Sequence, residues 1–108
     1  MRYITTEIIK QFGDYLISEE KAETTVKKHM RDVELFHDWL NGAGVVKPCV
    51  LKYKAQLFES HSATGTNGVI SSLNSFFAFV EWSDLKVKNV KVQKQLFAQE
   101  ERELSKRE

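Results

Sequence analysis

Cysteine and proline each occur once in these 108 residues, and glycine only five times. A lone cysteine, Cys49, excludes an internal disulfide and fits a reducing compartment. The scarcity of proline and glycine leaves long stretches free to hold helical periodicity. No apolar run approaches the ~18 residues of a membrane span, and no signal-peptide pattern opens the chain, so the protein reads as soluble and cytoplasmic. The sharpest absence is local. Between Glu59 and Glu81 there is no Asp, Glu, Lys or Arg, although 29% of the chain is charged.

That uncharged stretch still has a helical pattern. On a wheel of about 100° per residue, Thr66, Val69, Ile70, Leu73, Phe76, Phe77 and Val80 share a core arc. Asn67, Ser71, Asn74, Ser75 and Ala78 lie opposite, with Gly68 and Ser72 at the edge. A solvated face should carry Lys and Glu. Small hydrogen-bonding residues instead imply that something approaches closely, either another helix or a nucleic-acid groove.

The remaining elements follow from periodicity and capping. Helix one starts at Thr5 or Thr6 and runs to about Glu20, with Ile8, Ile9, Phe12, Tyr15 and Leu16 on one face. Helix two is expected to be capped by Thr24 or Thr25 and to stop at Asn41-Gly42. Pro48 suits the first turn of helix three, which carries Val50, Leu51, Tyr53, Leu57 and Phe58 to about Ser60. Helix four spans Thr66 to Trp82. No stretch alternates with period two, so no strands are expected. Short connections among four helices predict a compact all-α domain, with Val26, Val33, Phe36, Leu40, Ile70, Leu73, Phe76 and Phe77 in one core.

Charge is unevenly placed. Residues 1–44 hold six basic and eight acidic side chains, net −2; residues 45–94 hold seven and three, net +4; residues 95–108 hold three and four, net −1. A basic middle suits local contact with an anion. Lys27, Lys28 and Arg31 cluster opposite the core arc of helix two, beside Thr24 and Thr25. Free N–H groups and a partial positive charge at a helix start suit phosphate. Basic residues there oppose the helix dipole, and phosphate contact would explain them. The plain alternative is a solvated face balanced by Glu34 and Asp38.

After Ser83, Lys86, Lys88, Lys91 and Lys94 are spaced among Val87, Val90, Val92 and Leu96. This reads as an extended basic linker. Ser105 and Glu108 have the spacing of a capping box that opens a helix, so the chain reads as cut at the entrance to a further domain. Residues from about Gln95 are expected to be mobile, because a linker without its second domain buries little.

Together these segments resemble the tyrosine recombinase (phage integrase) family, in its N-terminal SAM-like core-binding domain. The resemblance rests on Phe12-x-x-Tyr15-Leu16, then Thr24-Thr25-Val26-Lys27-Lys28-His29 and Arg31-Asp32-Val33-x-x-Phe36-x-x-Trp39-Leu40. A second block is Ile70-Ser71-Ser72-Leu73-Asn74-Ser75-Phe76-Phe77-x-Phe79, after the Thr64 and Thr66 turn. Asn89-Val90, where the family often has Asn-Pro, and Glu103-Leu104-Ser105-Lys106-x-Glu108 complete the order. The resemblance implies a four- to five-helix orthogonal bundle, with 1–85 as the core-binding domain and 86–108 as linker and truncated start of a catalytic domain. It implies double-stranded DNA as partner, other recombinase protomers on the same DNA, and major-groove contact by helices two and four. The DNA-binding residues would be Thr24, Thr25, Lys27, Lys28, Arg31, Thr66, Asn67, Ser71, Asn74, Lys86, Lys88 and Lys91. The family often has basic residues where this chain has Gly68, Val69 and Asn74, which favours Asn and Ser contacts from helix four.

The family's nucleophilic tyrosine and its assisting residues belong to the catalytic domain. Here Tyr3, Tyr15 and Tyr53 read as packing residues, and His29, His37 and His61 lack metal-ligand spacing. No glycine-rich phosphate loop or nucleophile–base pair is apparent. The expectation is a non-enzymatic fragment of a recombinase with no cofactor, metal, membrane or small-molecule ligand. A free-standing helical interaction or dimerisation module is the competing reading. It leaves the basic linker and the broken-off capping box unexplained.

Overall fold

A computed structural model describes residues 2–91. Expectations about Lys94, the mobility of the tail and the capping box lie outside them. Four helices run in order: α1 Thr6–Ser18, α2 Glu23–Leu40, α3 Lys47–Ser60 and α4 Ala63–Phe79, followed by a 3₁₀ turn at Ser83–Leu85. The domain is all-α. Among the described residues the only β-type pairing is one antiparallel bridge, Arg2 to Val45.

Each helix begins where local chemistry allows. The Thr5 hydroxyl accepts from the Ile8 N–H at 3.1 Å and the Ser62 hydroxyl from the Gly65 N–H at 3.0 Å, each satisfying a free first-turn donor. Helix α4 therefore starts three residues before the expected Thr66. Helix α2 differs from expectation too. Ala22 occupies its cap without a side-chain bond, and Thr24 and Thr25 lie inside the first turn. Glu23 supplies a dipole-favoured carboxylate there instead. Pro48 lies in the first turn of α3, as its fixed φ predicts.

The stops are informative. Asn41 ends α2 in the left-handed conformation with φ 52°, followed by Gly42 at φ 88°. Helices α1 and α4 also end on left-handed residues, but these are Glu20 (φ 60°) and Glu81 (φ 62°). At α4 the Trp82 N–H donates to the Phe77 carbonyl at 2.7 Å and the Glu81 N–H to Ala78 at 3.2 Å, a Schellman pair. At α1 Lys21 and Glu20 bond Leu16 and Ile17 in the same way. A glutamate at this position hides the stop from a sequence reading, so α4 ends three residues before the expected Trp82.

Helix α4 is central, packing on α2 and α3, while α1 packs on α2. Phe12, Phe36, Phe76 and Phe77 are fully buried. The Phe12 and Phe76 rings meet edge-on at 5.3 Å and Phe36 meets Tyr53 at 4.8 Å, arrangements aromatic quadrupoles favour. Of the expected core, Val33, Leu40, Ile70 and Leu73 are also buried; Val26 is half-buried at the edge. Tyr15, Leu51 and Phe58 are exposed rather than core. Cys49 is half-buried and free, its thiol pushed up by burial. At one end of the bundle, the Arg2 guanidinium bonds Asp84 at 2.8 Å and lies over the Trp82 ring. That hydrogen bond holds the Asp84 carboxyl below its ordinary range.

Candidate nucleic-acid interface

The ridge on α2 divides in two. Lys27 is exposed and, among the described residues, pairs only with Glu23 one turn back, at 3.3 Å. Arg31 is exposed, its guanidinium 3.7 Å from Asp32 Oδ1. Lys28 differs from its neighbours. Its Nζ donates to the Gly68 carbonyl at 2.7 Å, to Asp32 Oδ2 at 2.9 Å and to Ser72 Oγ at 3.2 Å. An ammonium has three N–H donors, and all three are committed within the chain. Lys28 was expected to point away from the core toward phosphate; the structure corrects this. A Cβ at Gly68 would lie 3.4 Å from the Lys28 Nζ, an ordinary van der Waals distance, so the knot does not depend on glycine there.

Asp32 anchors this knot. Its side chain is only 3% exposed, and a buried carboxylate is tolerable when paired and hydrogen-bonded. It accepts from Lys28 and from the Ser72 hydroxyl at 2.7 Å. Since that hydroxyl has one proton, giving it to Asp32 makes His29 Nδ1, 2.8 Å away, the donor to Ser72 Oγ. His29 is therefore assigned the Nδ1–H tautomer. Burial, then the nearby Lys28 charge, pushes its pKa below the ordinary 6.5. The knot fastens the first half of α2 to α4 across 40 to 44 residues of chain, so the two helices present one surface.

On α4 the expected groove residues separate. Thr66 is fully buried and cannot reach a ligand; it belongs to the core arc alone. Ser71 is exposed. Asn67 and Asn74 are half-buried, and both amide edges are occupied. Asn67 donates to the Val90 carbonyl at 2.9 Å and accepts from the Val90 N–H at 2.7 Å. Asn74 makes the same pair with Val87, at 2.9 and 3.1 Å. Their expected free, groove-facing amides are thus corrected: the close neighbour that the uncharged face implied is the chain's own extended segment after the 3₁₀ turn. Val87 is buried there, whereas Lys86, Lys88 and Lys91 are exposed. Packing against α4 continues past the boundary expected at residue 85.

Beside the knot a groove of about 960 Å³ runs between α2, α3 and the start of α4. Arg31, Leu35, Trp39, Leu57, Thr64 and Val69 are among its walls. The sequence reading missed this groove and the role of Asp32. The Lys28–Asp32 spacing of four residues was the available signal.

The family description "Phage integrase, N-terminal SAM-like domain" matches residues 9–84. The chain belongs to this family. All four helices of the integrase domain fall within or overlap the matched span, as do the Lys28–Asp32–Ser72 knot and both asparagines. The chain is also 32% identical over 92 residues to the tyrosine recombinase XerC of Pediococcus pentosaceus, covering 77% of this chain and 31% of the relative. It thus spans about a third of that recombinase's length. No solved structure gives a significant match. Among the described residues of this integrase domain, no helix is long and apolar enough to cross a membrane.

Proposed function

We propose that this chain is the DNA-binding, core-binding part of a site-specific tyrosine recombinase. In this reading it grips double-stranded target DNA in the cytoplasm, alongside other protomers, while a separate catalytic domain cuts and rejoins the strands. Residues 1–85, with the segment to Val90 that packs on α4, form the gripping domain, and the chain beyond leads toward the catalytic part. One observation carries the reading: α2 and α4 are fastened into one face whose exposed cations, Lys27 and Arg31, make, among the described residues, only long pairs with Glu23 and Asp32 that phosphate can replace. Thr24 and Ser71 are exposed polar neighbours on the same helices. Lys86, Lys88 and Lys91 add a second line of positive charge, suited to the backbone of a duplex.

The test is a titration of labelled duplex at two salt concentrations. Binding should weaken with salt at a log–log slope of about −0.9 per phosphate neutralised. The double variant Lys27→Glu/Arg31→Glu, which spares Lys28, should lose roughly a hundredfold or more in affinity, since charge-assisted bonds contribute about 1.5–3 kcal/mol each and about 1.4 kcal/mol is tenfold. Absence of binding by the parent chain at low salt would overturn the proposal. A second reading, a protein-interaction module, draws on Leu51 and Phe58, which stand exposed two turns apart on α3. Concentration-dependent self-association that Leu51→Ser/Phe58→Ser abolishes, without any DNA binding, would favour it.

A further inference from the structure

The four bonds from Asn67 and Asn74 to residues 87 and 90 share one geometry. The asparagines are seven residues apart on α4, a rise of about 10.5 Å. Val87 and Val90 are three residues apart in extended chain, a span of about 9–10 Å. The two repeats match, and the segment runs antiparallel to the helix: Asn74 holds Val87, and Asn67 holds Val90. An asparagine side chain carries a donor and an acceptor side by side, like a peptide group. Each therefore pairs with a main-chain N–H and C=O as a neighbouring strand would. Serine cannot supply both groups in that fork, and aspartate would set a charge against a carbonyl. The absence of long charged residues from this face leaves room for the backbone to come close.

From this geometry we infer that Asn67 and Asn74 are positioning residues that hold residues 87–90 as a stiff strap, fixing where the chain leaves the bundle. The strap is anchored upstream by Leu85, which is 2% exposed, and along its length by Val87. With Val87 held inward and Val90 bonded through its main chain, Lys86, Lys88 and Lys91 stand outward at fixed positions relative to Lys27 and Arg31. The first statement needs no ligand; the arrangement of the lysines for DNA rests on the proposed function.

Amide hydrogen exchange on the 108-residue chain separates the possibilities. In the parent the Val87 and Val90 amides should be protected. In Asn67→Ala/Asn74→Ala they should exchange tenfold faster or more, with the Phe36 and Phe76 amides unchanged. A nitroxide at Lys88→Cys, on a Cys49→Ser background, adds a readout of position. It should broaden a narrow set of α4 amides in the parent and a diffuse set in the double variant. Strap amides that stay protected without the asparagines would overturn the inference, as would strap and core amides that lose protection together. The DNA arm is separate: in the double variant the salt slope should become shallower. If the parent binds no DNA, the functional proposal fails while the exchange result still decides the strap.

Discussion

Reversing the charge of two adjacent lysines should have very different consequences. Lys28→Glu removes an ammonium that bonds Asp32, Gly68 and Ser72 and sets a carboxylate near one that is only 3% exposed. The lost charge-assisted bonds would contribute about 1.5–3 kcal/mol if fully buried. Lys28 is itself 41% exposed, so screening lowers this to about 1–2 kcal/mol. Repulsion between the carboxylates adds up to about 4 kcal/mol at 4 Å and an effective dielectric of 20, and rotation into solvent relieves much of it. The total loss is about 2–4 kcal/mol, which in a domain of this size lowers the melting temperature by roughly 10–20 °C. Lys27→Glu faces only Glu23, with both partners largely exposed, and should cost about 0.5 kcal/mol. Urea and thermal denaturation of the two variants at pH 7 make the comparison. Equal stabilities would refute the knot as a fastening between α2 and α4.

Two further outcomes follow from the same structure. Because the folded-state pKa of His29 lies below 6.5, the unfolded chain binds more protons between that lowered value and 6.5, so stability rises with pH across this window. It should fall on acidification from about pH 6.5 until the folded pKa is passed, and His29→Gln should remove that part of the decline in denaturation curves taken from pH 7.5 to 5. Glu81, held at φ 62°, should accept glycine with a gain of about 0.5–1 kcal/mol, since a left-handed L-residue costs about 1–2 kcal/mol and glycine's greater unfolded freedom offsets part; a lower urea midpoint for Glu81→Gly would contradict the strained stop.

The helices and most of the core were legible because burial imposes a period on the sequence. Val33, Phe36 and Leu40 on α2, and Ile70, Leu73, Phe76 and Phe77 on α4, could be placed from spacing alone. The candidate site was less legible, for a physical reason. Polar side chains on a wheel look solvent-facing unless the partner is known, and here the partners are 40 and 44 residues away for Lys28, and 23 and 13 residues away for Asn67 and Asn74. The uncharged face of α4 correctly signalled a close neighbour but could not identify it. Helix ends were misjudged where Glu20 and Glu81 adopt a conformation that glycine or asparagine usually announces.

The asparagines of α4 bond to main-chain atoms, which every residue except proline carries in full. Recognition of this kind is indifferent to most of what the segment spells. Lys86, Lys88, Asn89 and Lys91, all outward, are therefore open to wholesale rewriting by mutation, provided that an apolar residue remains at 87 and no proline falls at 87 or 90. Charge along this edge can drift, reverse or be engineered while the path of the chain stays the same, so geometry and electrostatics can evolve independently here.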